Sequence, residues 1–325
     1  MRILVTGGAG YIGAHVVELL QARGDEVVAV DDLITGIPER IPGVVIHELD
    51  LADTHAVGRL TEILETARIE AVVHFAARKQ VLESVQKPAW YFQQNIGGLA
   101  NLMLAMEAAG VQNLVFSSSA SVYGNAVGAQ IAEDAPTIPV NPYGMSKLQG
   151  EYLVAAAGTA WGLRGVSLRY FNVAGAGSDR LGDQAVLNLV PMIFERLDQG
   201  ESPLVFGDDY DTQDGSCVRD YVHVSDLADA HLAALDTLGS RPHGWNEVFN
   251  VGTGLGTSVL EMVETVRRVS GIDLPPEIRE RRAGDPASVV ASVTKIEREL
   301  GWSARRGTEE IIRSAWDAHR ANNAR

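Results

Sequence analysis

From Arg2 to Asn172 the chain alternates short, nearly continuous apolar runs with longer stretches whose apolar positions recur at helical spacing. The short runs predict strands at Arg2–Thr6, Glu26–Asp31, Val44–Leu49, Ala71–Phe75, Asn113–Ser118 and Gly165–Arg169. The longer stretches predict helices at Tyr11–Arg23, Thr54–Ala67, Trp90–Ala109 and Tyr143–Ala157. Strands that are apolar on both faces and joined by helices describe a parallel sheet covered on both sides.

After about Asn172 the rhythm changes. Turn-rich runs such as "GAGSDRLGD" and "GDDYDTQDGS" separate helices that carry start signals. Ser225 precedes "DLADAHLAAL", and Ser258/Glu261 and Thr294/Glu297 have capping-box spacing, while Gly301 marks a helix end. The expected organisation is a first domain over 1–172 and a smaller α+β lobe over 173–325, with some chain crossing between them. There is no internal repeat.

Charge narrows the partners. The 325 residues carry a formal net charge of −15, which argues against general affinity for nucleic acid or an anionic membrane surface. No apolar run reaches the length of a membrane span. The single cysteine, Cys217, forms no intrachain disulfide and fits a reducing compartment. The opening "MRILVTGG" reads as a strand rather than a signal sequence, so a cytoplasmic location is expected. No spacing among the eight histidines suggests a metal site, and His74 at a strand end reads as a core residue.

"TGGAGYIG", Thr6 to Gly13, follows the first strand and opens the first helix. Gly7, Gly10 and Gly13 allow backbone N–H groups to approach a pyrophosphate, whose charge the helix N-terminus stabilises. Asp31 ends the second strand, where a carboxylate accepts hydrogen bonds from the ribose hydroxyls of NAD and repels the extra phosphate of NADP. Asp32 beside it is also acidic, and no Arg or Lys near it in sequence welcomes that phosphate. The expected fold is therefore a Rossmann-type doubly wound α/β sheet with a smaller C-terminal lobe, and the expected cofactor is NAD. Asp50 and Leu51, just past the third strand, are placed to flank the adenine.

Three further segments converge on the carboxyl edge of the same sheet. They are "HFAARK" (His74–Lys79), "FSSSASVYG" (Phe116–Gly124) and "NPYGMSK", which opens a helix with Tyr143 and Lys147 on one face. A phenol is under ~1% ionised near neutrality. An ammonium one helical turn away favours the phenolate, as does a cationic nicotinamide. A shift of ~3 units corresponds to about 4 kcal/mol and brings Tyr143 to the range of a general base. Ser119 is placed to hydrogen-bond the reacting hydroxyl and relay its proton. Alone, Tyr-x-x-x-Lys is far more often a buried tyrosine over a surface lysine; beside the glycine motif and the serine strand end, catalysis is the better reading.

The motifs "TGGAGYIGAH", "HFAARKQVLESVQKP", "FSSSASVYG", "NPYGMSKL", "LRYFNVAGA", "FGDDYDTQDGSCVRDYVHVSDLA" and "RRAGDPA" span essentially the whole chain. Through them the sequence resembles the extended short-chain dehydrogenase/reductase family, in the branch that inverts carbon 4 of UDP-hexoses. The resemblance implies a tightly held NAD, reduced and reoxidised in each turnover. Tyr143 takes the proton from the sugar 4-hydroxyl, hydride leaves carbon 4, and the transient 4-keto sugar turns over and receives it on the other face. Lys147 bridges the nicotinamide ribose and Ser119 holds the 4-hydroxyl.

Carried over residue by residue, the family's cofactor contacts fall on Tyr11, Ile12, Leu33, Phe75, Ala76, Ala77, Asn95, Ser117 and Phe171, with Lys79 near the pyrophosphate. Its UDP-sugar contacts fall on Asn172, Asn188, Leu189 and Tyr221, with Phe206 near uracil, Arg219 and Arg282 at the diphosphate and Asp285 at the uridine ribose. Arginine suits the diphosphate because its planar fork bonds two oxygens at once. From its own neighbourhood, Arg219 reads instead as a surface residue or an ion pair with Asp220. The family also implies a homodimer joined through the helices at Trp90–Ala109 and Tyr143–Ala157. The apolar outer positions Met145, Leu148 and Tyr152 permit this, and core packing explains them equally.

Departures carry information. Gly97 and Leu99 stand where many relatives have a polar residue and a threonine, and Ser292 replaces a common acid with no evident effect. Val289 stands where some relatives have a bulky tyrosine beside the sugar 2-substituent. The smaller side chain leaves room for an N-acetyl group, which makes the UDP-GlcNAc/UDP-GalNAc pair a further candidate. A related 4,6-dehydratase is the nearest rival, yet Ser119-Ala120-Ser121-Val122 lacks the acid pair that eliminates water. A non-catalytic NAD sensor is the rival of another class; Ser119, Tyr143 and Lys147 being all present speaks against it.

Overall fold

All six apolar runs of the first half form strands, at Arg2–Thr6 (β1), Glu26–Asp31 (β2), Val45–Glu48 (β3), Ala71–His74 (β4), Asn113–Ser117 (β5) and Arg164–Tyr170 (β6). The structure is a computed structural model that describes residues 1–323 apart from 127 and 283. Helices are Tyr11–Arg23 (α1), Ala56–Thr66 (α2), Val81–Gln86 (α3), Pro88–Phe92 (α4), Gly98–Ala109 (α5) and Pro142–Trp161 (α6). The single helix expected over Trp90–Ala109 is interrupted by a π-helical turn at Gln93–Gly97, so α4 and α5 are separate. Such a turn absorbs an extra residue and re-aims the side chains on it.

The second half adds Asn172–Ala174 (β7), Leu189–Asp198 (α7), Leu204–Phe206 (β8), Val218–His223 (β9), Val224–Leu238 (α8) and Asn246–Val251 (β10). It continues with Gly256–Ser258 (β11), Val259–Ser270 (α9), Glu277–Arg279 (β12), Ser288–Val289 (β13), Thr294–Leu300 (α10) and Thr308–Asn323 (α11). Two capping expectations are corrected. Helix α8 is capped by His223, whose ring accepts from Ser225 N at 3.0 Å, so Ser225 sits in the first turn. Thr294 is the first residue of α10 and makes no cap, because the position before it is Val293. Ser258 does cap α9, accepting from Glu261 N at 3.0 Å, and Gly301 ends α10 at φ +64°.

The main sheet runs β3-β2-β1-β4-β5-β6-β10, with every pairing parallel. Its order reverses direction at β1, which opens the crevice between β1 and β4 at the carboxyl edge. The pleat divides the core: Ile3 and Val5 pack with Val16, Leu20 and the α8 residues Leu227 and Leu235. Leu4, Val72 and Leu114 face the other way onto Leu60 of α2 and Leu102 of α5. The seventh strand, β10, and a covering helix, α8, thus come from beyond residue 172. A second core gathers α7, α9 and α11 around Phe194, Met262, Ile311 and Trp316. Strands β7, β11 and β13 pair there with β9, and β8 pairs with β12. Among the described residues no helix is long and apolar enough to cross a membrane.

Four histidines lie inside this framework. Burial lowers the pKa of His15, His223 and His231 to about 4 and of His74 to about 3. His74 is held by Thr6 Oγ1 at 2.7 Å. An unfolded chain takes up these protons below pH ~6.5, whereas the folded chain resists them until near 4. Stability is therefore expected to fall as pH drops from about 6.5 toward 4. Guanidinium unfolding midpoints at pH 7, 6 and 5 check this; an unchanged midpoint removes the histidines as acid-sensitive groups.

Candidate active site

The cofactor crevice is built on glycine. Gly7 sits at φ +70° and its N–H donates to Val30 O at 2.7 Å. A Cβ there would lie 2.7 Å from Ala76 N, and one on Gly13 only 2.2 Å from Gly7 O, so larger residues would push the turn off the loop after β4 and α1 off the turn. No side chain caps α1 at Gly10, and its first-turn N–H groups are left for an anion. The cleft is about 930 Å³ and is lined by Gly7, Gly10, Tyr11, Ile12, Gly13, Asp31, Asp32, Asp50, Leu51, Phe75, Ala76, Ala77, Lys79, Tyr143 and Lys147. Its glycine cradle and uncapped helix N-terminus fit the pyrophosphate of a dinucleotide.

Asp31 is buried and accepts Ala9 N at 3.0 Å and Leu33 N at 2.9 Å. Burial raises its pKa, and those two N–H groups oppose the rise. The expectation that no basic residue stands beside the acids is corrected: Arg78 pairs with Asp32 through Nη2 and Oδ2. Sequence reading missed it because the two are 46 positions apart. Gln94, Thr35, Leu49 and Tyr170 also line the cleft and were missed.

Four residues expected at the cofactor stand behind the wall rather than on it. Leu33, at φ +56°, turns into the core behind the crevice. Asn95 is buried, its Oδ1 accepting Arg78 N at 2.7 Å and its Nδ2 donating to Ser146 Oγ at 3.0 Å, so it braces the loop. Ser117 is buried with its carbonyl toward Lys147, and Phe171 packs with Val122 and Tyr123. Leu99 is core as well, fully buried in the layer with Leu102.

The trio expected from the sequence, Ser119, Tyr143 and Lys147, comes from two segments. Asn141 caps α6, its Oδ1 accepting Gly144 N at 2.8 Å, and Pro142 opens the helix. That start places Tyr143 and Lys147 one above the other, both buried. Ser119, two residues past β5, is extended and caps the turn Ala120–Tyr123, its Oγ accepting Ser121 N at 3.1 Å. Burial shifts the phenol and the ammonium alike toward their neutral forms. Burial pushes Tyr143 above its ordinary value, Tyr170 adds to this, and hydrogen bonding with Ser119 opposes it. The Lys147 ammonium points at Ser117 O, 2.7 Å away, and burial lowers its pKa to about 8 against the pull of Glu151.

Below the trio lies a buried polar network. Arg169 of β6 holds Glu151 of α6 through two bonds, Nε to Oε1 at 2.9 Å and Nη2 to Oε2 at 2.6 Å. Ser118 Oγ donates to the same carboxylate. Arg169 Nη1 donates to the Tyr123 hydroxyl at 2.9 Å, which donates onward to Asn250 Oδ1 at 2.6 Å. Ser118 and Tyr123 bracket Ser119, so this one pair grips both ends of its loop.

A second cleft of about 1050 Å³ opens beyond β6. Asn172, Asn188, Leu189, Phe206, Arg219, Tyr221, Arg282 and Asp285 all line it. Arg282 stacks on Phe206 at 3.9 Å. Arg219 does not pair with Asp220; its Nη1 donates to Val218 O at 2.8 Å and Pro286 O at 2.9 Å. Asp220 is buried and accepts from Thr253 and Gly254 instead. Met192, Ile193 and Arg196 were missed, although they continue the helical stripe from Leu189. Val289 lies on β13 opposite Arg219 and packs toward Val122 and Tyr123, beside the Ser119 loop rather than in the cleft wall.

Residues 3–252 match the sequence model of the NAD dependent epimerase/dehydratase family. The chain belongs to that family. Among curated proteins it is 43% identical to the UDP-glucose 4-epimerase of Lactobacillus helveticus, over 99% of this chain and 98% of the relative. It is 45% identical to that of Azospirillum brasilense, over 97% and 90%. Among solved structures, the UDP-glucose-4-epimerase of Stenotrophomonas maltophila with bound NAD and formylated UDP-arabinopyranose superposes with a TM-score of 0.93. Its identity is 41%, covering 100% and 99% of the two chains. The UDP-Glc/GlcNAc 4-epimerase of Campylobacter jejuni gives 0.86 at 37% identity, covering 98% and 99%. Family membership and the glycine cradle agree on NAD as the cofactor.

Removing the Glu151 carboxylate strands Arg169 in the interior, which costs about 3–5 kcal/mol for a broken buried pair. Glu151→Ala is expected to lose that much unfolding free energy in urea and Glu151→Gln less. Equal, near-zero losses would show the network to be dispensable.

Proposed function

We propose that this family member is a UDP-glucose 4-epimerase, interconverting UDP-galactose and UDP-glucose by inversion at carbon 4 through a transient 4-keto sugar. The observation that carries the reading is the placement of Ser119, Tyr143 and Lys147 together at the edge of a dinucleotide cleft, with an arginine-bearing second cleft beginning at Asn172. Full-length likeness to UDP-glucose 4-epimerases supports the sugar chemistry.

Each side chain has a distinct task. Tyr143, as phenolate, takes the proton of the 4-hydroxyl, and Ser119 holds that hydroxyl and relays the proton. Lys147 supplies positive charge beside the phenol and would hold the nicotinamide ribose. Bound in the cleft, NAD would supply the hydride acceptor and donor for carbon 4 and cationic charge near Tyr143. That charge answers the upward pull of burial on the phenol. Arg219 and Arg282 hold the diphosphate, Phe206 the uracil and Asp285 the ribose, with Asn172, Asn188, Leu189 and Tyr221 completing the pocket. Residues 1–172 form the cofactor unit and 173–325 the substrate lobe, with 224–251 crossing back.

The protein works as a cytoplasmic homodimer in this reading. Leu104, Met145 and Tyr152 are exposed at 53%, 39% and 62% and supply an apolar face on α5 and α6; Leu148 does not contribute, being buried beside Val122. The N-acetylhexosamine pair is a second substrate class, supported by the small Val289 beside the Ser119 loop.

Purified protein is expected to carry NAD and to convert UDP-galactose to UDP-glucose with no cofactor added. Tyr143→Phe should keep the NAD and lose about 10²–10⁴-fold in turnover. Bound NAD without turnover on any UDP-hexose would instead favour the sensor reading. Steady-state rates on both sugar pairs test Val289: Val289→Tyr should depress N-acetylhexosamine turnover selectively, and equal loss on both pairs sinks the assignment.

A further inference from the structure

The adenosine end of the cofactor cleft is crossed by a chain of four side chains, three from strand ends and one from the π-helical turn at Gln93–Gly97. Arg78, past β4, pairs with Asp32, past β2, and its Nε and Nη2 donate to Gln94 Oε1 at 3.2 and 2.9 Å. Gln94 Nε2 then donates to Asp50 Oδ2, past β3, at 3.2 Å. All four residues line the cleft.

The arginine is held, not loose. Asn95 clamps its backbone from both sides, accepting Arg78 N at 2.7 Å and donating to Arg78 O at 3.0 Å. Its guanidinium carbon lies 5.4 Å from the Trp90 ring centre, and the side chain is only 13% exposed. A fixed guanidinium next to the ribose-binding acid is the group that accommodates the 2′-phosphate in NADP sites. Here that fork is turned onto a carboxylate of the same chain. Asp32 is in turn anchored by Ile34 N, 3.1 Å from Oδ1, so its other oxygen stays aimed at Arg78.

We propose that Asp32 determines cofactor specificity by occupying Arg78, so that the chain carries a complete but withheld 2′-phosphate site. This rests on the dinucleotide reading of the cleft. It differs from simple exclusion, in which two acids merely repel the phosphate. If Asp32 only repels, Arg78 is irrelevant to the discrimination. If Asp32 withholds Arg78, loss of its charge creates a phosphate ligand, and the gain requires the arginine.

The test uses full-length protein and reads bound nucleotide, not turnover. Wild type, Asp32→Asn, Arg78→Ala and the double variant are each freed of copurified nucleotide, incubated with equal saturating concentrations of NAD and NADP, and then freed of unbound nucleotide. The protein is then denatured, and the released NADP-to-NAD ratio is measured by chromatography. Asn at position 32 keeps an oxygen for Ile34 N and preserves the turn, and urea midpoints confirm that each variant is folded. The ratio is expected to rise about tenfold in Asp32→Asn, the size of one charge-assisted hydrogen bond, and to return near wild type in the double variant. An unchanged ratio in Asp32→Asn overturns the inference, and so does a gain that survives intact in the double variant. Protein that binds neither dinucleotide overturns the cofactor reading and this inference with it.

Discussion

The ion pair between Glu151 and Arg169 is the fixed point of this molecule's chemistry. Helix α6 carries Tyr143, Lys147 and Glu151 at successive turns, so the carboxylate that β6 grips is on the same stripe as the two reacting groups. Fixing Glu151 against β6 fixes the height and rotation of that stripe over the sheet edge. The same two residues hold Ser118 and Tyr123, which set the position of Ser119 between them. A buried ion pair is weak evidence for stability, because desolvation offsets much of its attraction. Its value here lies in geometry: none of the network's buried side-chain polar atoms is without a partner, so the two elements are held by several directional bonds at once.

Electrostatics at the trio follow from that geometry. Tyr143 is buried enough that its neutral form is favoured, and Lys147 is buried enough that its own charge is weakened. The ammonium spends its strongest contact on Ser117 O. A site of this kind holds its base in reserve, and positive charge arriving in the cleft shifts the balance toward phenolate. A phenol already ionised in an empty cleft would need a compensating cation of the protein's own, on a chain whose net charge is −15.

What the sequence made legible was whatever depends on short separations. The glycine turn lies within eight residues and obeys steric rules that any strand-to-helix crossing must satisfy. Tyr143 and Lys147 are one helical turn apart. Arg78 and Asp32 meet only because β2 and β4 flank β1, and no local pattern encodes that meeting. Asn95 and Gln94 were displaced from simple helical phase by the π-helical turn, which no periodicity over Trp90–Ala109 reveals. Phe171 lies next to cleft residues in sequence but points the other way, as neighbours on extended backbone do, and Leu33 is turned into the core by its left-handed backbone.

The late arrival of β10 has a consequence for how the molecule comes into being. A nascent chain emerges N-terminus first and tends to fold unit by unit. Here β6 keeps an unpaired edge until residue 251 is available, and α1 lacks its neighbour α8 until residue 238. Strands β7 to β9, which line or border the second cleft, are translated before the main sheet is complete. The two halves are thus interlaced in time as well as in space. A break or insertion between them would interrupt the assembly of both clefts together, so the cofactor half of this chain is not a cassette that recombination can move on its own.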